Sequence, residues 1–544
     1  MRGTGDDGPG CESDLMLDSL RASDVASAIV ALPIEYLRRQ RWFGDKSRRV
    51  TGVLARDVAI MPLENDRQAA LALIDVTFDE GEPATYFMPL ILGLDGSAMA
   101  RENDSTVVTR FSLPSGQVTV GDALSDPEFC TAAHVLIGRG GHLRATTGRF
   151  VGTRTDAFIG EVPARSVRLL GVEQSNTSVV FDRMTILKSF RRIQPGTTPD
   201  LEIARFLTAR TDFRHVPLLA GDVEYQATDG YTTSIAMLQH FVANQGDGWE
   251  YTLAHLRAFY GLVAEELAVR PAASPLDRVS RARLATESYL HDARRLGGIT
   301  GHLHRSLSSA PDDPAFAPEP VVAADLNRWS ANVGEQLDQA LRVLERTRGD
   351  LDVELQTVAD VVLGNQARLR QVIDNIDDLA GVPMSKIRHH GDYHLGQVLK
   401  TADGFIILDF EGEPARPLAE RRLKHTPLRD VAGMLRSFDY ALHAGLRAYT
   451  ATGDSVDRTS LLRWGRVWQQ LVDEAFLAGY TEEARRSVAS FLPSSRSAID
   501  RVIAIFTLEK AAYELMYELN NRPDWVGIPL TYLADYVDKR NSRV

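Results

Sequence analysis

The apolar pattern changes its period partway along the chain, and few folds accommodate both halves. In the first part, Ala69 to Thr77 (AALALIDVT) and Ala84 to Leu92 (ATYFMPLIL) alternate as half-buried strands do, separated by the turn EGEP. Three more strands are predicted at Ser166–Leu170, Ser178–Asp182 and Thr185–Phe190, after a helix over DALSDPEFCTAAHVLIG. From about residue 250 the spacing becomes helical, as in Val333, Leu337, Leu341 and Leu344 within an amphipathic helical hairpin spanning Leu326–Leu379. One strand pair around residues 389–410 interrupts the helices. The expected class is α+β. Its parts are a tail over 1–22 that is mobile because it is rich in Gly, Asp and Ser, a β-rich module over 23–120, a mixed module over 121–245 and a mostly helical part over 246–544.

Composition narrows the function by exclusion. The 61 basic and 73 acidic side chains leave a net charge of -12, unlike the basic face of a nucleic-acid binder. Two cysteines, Cys11 and Cys130, are too few for a disulfide framework and suit a reducing cytosol. The N-terminus lacks the basic start and apolar core of a secretory signal, and no apolar run is long enough to span a bilayer, so a cytoplasmic protein without a membrane partner is expected.

The chemistry concentrates in HHGDYHLGQ, residues 389–397, which holds three of the chain's 13 histidines. Two readings compete: a metal-dependent hydrolase with His389, His390, Asp392 and His394 as ligands, or a kinase in which Asp392 is the working carboxylate. Neighbouring residues on extended backbone point apart, so His389 and His390 share one ion poorly. Downstream, the apolar strand FIIL ends at Asp409, giving a loop carboxylate followed by a strand-terminal one. Phosphoryl transfer from ATP uses that pairing, with one carboxylate to take the proton of the acceptor hydroxyl and oxygen ligands to hold Mg2+. Asp392 suits the first role; Gln397 and Asp409 suit the second. Lys188, in the strand TILKSF, supplies a cation for the nucleotide phosphates, and Glu202, early in the helix opened by Pro199 and Asp200, is its expected ion-pair partner. Between strands, EQSNTSVVF has no glycine-rich phosphate motif, but Ser175, Asn176, Thr177 and Ser178 offer hydroxyls and amides in the turn.

These strings, with QRWFGDKSR, PLRDVAGMLRSFDYA, FVANQGDGWEYT and YELNNRPDWVGIPL, resemble the maltokinases, which are small-molecule kinases of the protein-kinase-like and aminoglycoside-phosphotransferase-like group. The resemblance covers about residues 31–535 and implies a bilobal fold with an extra β-rich N-terminal cap and a large helical C-terminal lobe. It implies ATP and Mg2+ as cofactors and phosphorylation of maltose at its anomeric hydroxyl, in the route from trehalose to α-glucan, with trehalose synthase as a possible partner. It also implies that Asp392 is the base, that Gln397 and Asp409 hold magnesium, and that Gln239, His240 and Phe241 belong to the hinge that follows Leu238. For the sugar site it points to His394 and Glu411, and to the cluster of Tyr513, Glu514, Tyr517, Glu518, Arg522 and Trp525. Arg522 has two further readings, as a helix-end cap or as a partner of Asp430. A glucosamine kinase shares the mechanism and competes on substrate; a non-catalytic scaffold for trehalose synthase has no use for Lys188, Asp392, Gln397 and Asp409 together.

Overall fold

The computed structural model describes residues 21–538, apart from 65–66, 95–106, 114–115, 171–175, 270–273, 414–415, 452–456 and 489. The chain divides into two compact units: Met1–Thr208 with Pro217–Val242, and Ala209–Val216 with Ala243–Val544. The excursion of residues 209–216 into the second unit had no signal in the sequence.

The first unit begins with α1 (Ala22–Val30) and α2 (Ile34–Arg39), so the predicted tail gives way to helix by residue 22. There follow β1 (Val50–Pro62), β2 (Gln68–Phe78), β3 (Ala84–Leu94), β4 (Val107–Leu113) and β5 (Gly116–Asp122), hydrogen-bonded in the order β1-β2-β3-β5-β4. β2 is buried on both faces. Its Ala70, Ala72, Ile74 and Val76 enter one core with Leu37, Trp42 and Phe43. Its Ala69, Leu71 and Leu73 enter a second core with Phe129, Ile137 and Phe150. Period-two alternation thus feeds two cores rather than one core and solvent. The aromatic pair of QRWFGDKSR has a structural use here: Trp42 and Phe43 pack on Tyr86, whose hydroxyl donates to Asp45 at 2.6 Å.

The predicted helix over 122–138 is shorter, α3 (Pro127–Gly138), because Asp126 caps it by accepting from the Glu128 and Phe129 amides and Pro127 stands at its first turn. A second sheet contains β6 (His142–Arg144), β7 (Arg149–Arg154), β8 (Val167–Leu169), β9 (Asn176–Phe181) and β10 (Thr185–Phe190). After the short β11 (Arg192–Ile193), which pairs with β3, and α4 (Pro199–Arg210), it is completed by β12 (Leu219–Gln226) and β13 (Thr232–His240). Its order is β6-β7-β12-β13-β10-β9-β8, so the strand that carries Lys188 lies inside it.

The second unit is helical: α5 (Gly248–Val269), α6 (Pro275–Leu307), α7 (Ala323–Thr347), α8 (Val353–Gly364) and α9 (Gln366–Asp374). The anticipated hairpin over 326–379 is therefore three helices, since Asp352 accepts from the Leu355 amide and starts a new one. Val333, Leu337, Leu341 and Leu344 do form the buried stripe of α7. Two short strand pairs follow: β14 (Glu319–Pro320) with β15 (Ser385–Lys386), and β16 (Val398–Thr401) with β17 (Gly404–Ile407). The chain closes with α10 (Leu418–Arg421), α11 (Leu428–Thr450), α12 (Arg458–Ala484), α13 (Arg496–Asn521) and α14 (Gly527–Asp538). α6 and α12 pack backbone to backbone, and a Cβ at Gly479 would run into the Arg294 carbonyl. Among the described residues no helix is long and apolar enough to cross a membrane.

Candidate active site

The stretch 389–397 forms a loop and a single tight turn, Leu395–Gln397, that leads into β16. Its backbone is pinned from α11. Asp430, 2% exposed, accepts from the His390 amide at 2.7 Å and from the Gly391 amide at 2.9 Å. Consecutive amides can meet one carboxylate because Gly391 adopts φ +86°, a conformation costly for any residue with a Cβ. His390 braces the loop from its own ring, donating from Nε2 to the Leu408 carbonyl at 2.8 Å and accepting the Asp392 amide on Nδ1 at 3.4 Å.

The three histidines of the stretch do not converge on an ion. His390 is committed as above, His394 Nδ1 accepts from the Gly396 amide at 3.1 Å, and the His389 ring lies 5.9 Å from that of His425. Among the described residues, no cluster of three possible metal-ligating side chains includes a histidine. Burial lowers the His389 pKa to about 4, so it stays neutral. The hydrolase reading loses its ligand set.

Asp392 is half-buried at 23% side-chain exposure, and Lys510 of α13 stands 3.2 Å from its Oδ1. Burial pushes the Asp392 carboxyl up, but Lys510, His394 and His390 together outweigh it and hold the group below the ordinary carboxylate range. The carboxylate is thus ionised and fit to accept a proton. Lys510 was missed in the sequence, although it lies on one helix face with Tyr513 and Tyr517 at spacings of three and seven. Burial disfavours its charge, and Asp392, Glu413 and Glu514 more than restore it. Gln336, Glu413 and Tyr513 also line the space behind Asp392.

Gln397 and Asp409 occupy the two arms of the β16–β17 hairpin at one end, where the Leu408 amide donates to the Gln397 carbonyl at 2.9 Å. Asp409 has φ 58°, uncommon for a residue other than glycine and a form of strain that gathers at functional positions. An amide oxygen and a carboxylate are hard donors, and they fit magnesium rather than a soft metal.

In the first unit, Lys188 is 8% exposed, and its Nζ lies 2.9 Å from Asp200, itself 2% exposed. Asp200, two positions before the anticipated Glu202 at the start of α4, is thus a buried ion-pair partner of the lysine that the sequence reading did not name. The phosphate-turn expectation also needs correction. Ser175 lies outside the described residues, while Asn176, Thr177 and Ser178 belong to β9, paired with Phe190, Ser189 and Lys188. Strand pairing extends two residues further toward the N-terminus than the sequence suggested, and the Thr177 hydroxyl accepts from buried Arg191 at 3.0 Å. At the end of β13, Gln239 and His240 pair with Ile186 and Thr185. The His240 ring bonds the Ala157 carbonyl at 2.6 Å, and the Phe241 amide donates to Met184 at 2.8 Å.

The aromatic-carboxylate cluster of the second unit is real, but its charges are spoken for. Glu514 pairs with buried Arg436 at 2.6 Å, which also holds Asp439 at 2.7 Å. Glu518 pairs with Arg522 at 2.6 Å, so Arg522 stays on its own helix end while Asp430 serves the loop. Arg522 covers the Tyr517 and Trp525 rings at 5.2 and 5.4 Å, Trp525 stacks on Tyr440, and Tyr513 stacks on Tyr517. Glu413 is bound by Arg416 at 2.6 Å, and Glu509 by Arg429 at 2.9 Å. The main chain of Glu411 receives the Arg421 guanidinium at 3.1 Å.

Comparison with known proteins accords with this arrangement. Residues 36–126 match the model of the maltokinase N-terminal cap domain. A glucosamine kinase of Streptacidiphilus jiangxiensis is 25% identical over 493 residues, covering 90% of this chain and 98% of the relative. One of Mycolicibacterium smegmatis is 25% identical over 389 residues, covering 70% and 82%. The solved structure of a glucosamine kinase in complex with glucosamine, ADP and inorganic phosphate superposes with a TM-score of 0.60 at 20% identity, over 94% of this chain and 98% of that one. The α+β kinase fold is shared.

Proposed function

We propose that this chain, which resembles the maltokinases in its N-terminal cap and glucosamine kinases over nearly its whole length, transfers the terminal phosphoryl group of ATP to the anomeric hydroxyl of maltose. The products are maltose 1-phosphate and ADP. The observation that carries the phosphotransferase reading is Asp392: an ionised, partly exposed carboxylate on a loop whose His390 and Gly391 amides both donate hydrogen bonds to Asp430. Asp392 orients the acceptor hydroxyl and takes its proton as the new O–P bond forms and the bond to ADP breaks. Gln397 and Asp409 hold magnesium, which when bound neutralises charge on the nucleotide phosphates. Lys188 is assigned to those phosphates by its place in the sequence.

A neutral acceptor is favoured by the state of the carboxylates around Asp392. Glu413, Glu509, Glu514 and Glu518 are each engaged by an arginine, so an ammonium would have to compete with a guanidinium for any of them. The maltokinase cap over residues 36–126 supports the same choice. Maltose as acceptor gives the enzyme a place between trehalose and α-glucan, downstream of trehalose synthase. The second reading, glucosamine, is favoured by the names of relatives that match nearly the whole chain. ADP release measured with ATP, Mg2+ and maltose, glucosamine or glucose in parallel tests both. Turnover of maltose is expected; turnover of glucosamine with none of maltose overturns the substrate, and release with no sugar overturns the kinase reading.

A further inference from the structure

Asp430 meets the catalytic loop with both oxygens, yet a carboxylate on one helix turn is free to rotate about its own side-chain bonds. Something must fix the plane of that carboxylate. On the side away from the loop, His304 of α6 places its Nε2 3.0 Å from Asp430 Oδ2, the oxygen that also receives the His390 amide. His304 Nδ1 in turn lies 3.1 Å from the Tyr480 hydroxyl of α12. His304 is fully buried, as is Tyr480, and the imidazole sits edge-on between the rings of Tyr480 and Phe491 at 5.6 and 6.4 Å.

The hydrogen bonds assign the protons. Asp430 is held well below the usual carboxylate range, burial working against this and the histidines around it outweighing burial, so its oxygens accept only. His304 then donates from Nε2, and its Nδ1 shares the second hydrogen bond with the Tyr480 hydroxyl. The result is a continuous hydrogen-bonded chain linking Tyr480, His304, Asp430 and the loop amides through α12, α6 and α11. Second partners of this kind fix the orientation and tautomer of the groups that do chemistry.

We propose that His304, supported by Tyr480, is a positioning residue for the catalytic loop: it fixes the Asp430 carboxylate plane, and through it the amides of His390 and Gly391 that set the direction of Asp392. The inference deepens the kinase reading and rests on it for its kinetic consequence. No catalytic contact with substrate is assigned to His304. Its effect on rate comes through geometry, and displacements of about an ångström at a reacting group cost on the order of a hundredfold.

The test compares three variants with the full-length wild-type protein. His304→Phe keeps a ring between Tyr480 and Phe491 but has no donor. The double variant His304→Phe/Tyr480→Phe also removes the hydroxyl left without an acceptor. His304→Gln restores an amide donor. Steady-state kinetics on whichever sugar the wild type accepts should show kcat lowered tenfold to a hundredfold in both Phe variants, with KM for ATP and the melting temperature near wild type, and partial recovery in the Gln variant. Hydrogen exchange at the His390 and Gly391 amides, which needs no sugar, should accelerate at least tenfold in the Phe variants. A folded double variant with wild-type kcat and wild-type exchange overturns the proposal. So does a parallel loss of kcat, ATP affinity and melting temperature without recovery by Gln. If the wild type phosphorylates no sugar, the kinase reading fails, and the exchange measurement still decides the clamp.

Discussion

Two lysine–aspartate pairs, one in each unit, look alike in chemistry and differ in access. Lys188 and Asp200 are 2.9 Å apart and 8% and 2% exposed. Lys510 and Asp392 are 3.2 Å apart and 25% and 23% exposed. The closed pair is a packed element of its sheet and helix, where losing either partner breaks a buried ion pair. The open pair leaves one face of the carboxylate for a hydroxyl, and the lysine keeps that carboxylate ionised. Exposure rather than charge separates the pair suited to proton transfer from the pair buried in its sheet.

The largest effect expected of any single change falls on the open pair. Asp392→Asn should lower turnover by about a thousandfold while leaving ATP affinity nearly unchanged, since the base acts on the acceptor and not on the nucleotide. Steady-state rates beside a nucleotide titration check this, and a matching loss of ATP affinity breaks the distinction between the pairs.

Next comes the closed pair. Asp200→Ala should destabilise the protein by about 3–5 kcal/mol, measured by urea denaturation, because it removes one side of a buried ion pair. A folded Asp200→Ala protein with wild-type stability would mean that the lysine's essential partner lies elsewhere.

Lys510→Met should reduce activity by roughly tenfold near neutral pH, and by more in acid. The sign follows from the direction of the shift. Lys510 holds the Asp392 pKa down, the base works only when ionised, and removing the cation moves the acid limb of the pH–rate profile upward. An acid limb that stays in place removes Lys510 from the account of Asp392.

The smallest effect is expected at the end of α13. Arg522→Ala should cost about 1 kcal/mol or less, because the guanidinium is 48% exposed and solvent screens its pair with Glu518. A marked rise in KM for the sugar with unchanged stability would sharpen the picture by giving Arg522 a substrate contact.

The sequence by itself determined the local facts. Period-two runs gave β2, β3 and β10 nearly to the residue, the apolar stripe gave α7, and the strand FIIL ending at Asp409 put that carboxylate at the end of a hairpin. Strand alternation and helical faces are set by geometry over a few residues, so they survive without tertiary context. Asp392 could be singled out for the same reason, since its loop runs directly into that strand pair. The partners were another matter. Lys510 is 118 positions from Asp392, Asp430 is 40 from His390, and Tyr480 is 176 from His304. That Asp200 meets Lys188 turned on the placement of α4 against its sheet. Only packing decides such contacts, because each depends on how separate helices and strands meet, and local sequence carries no record of that.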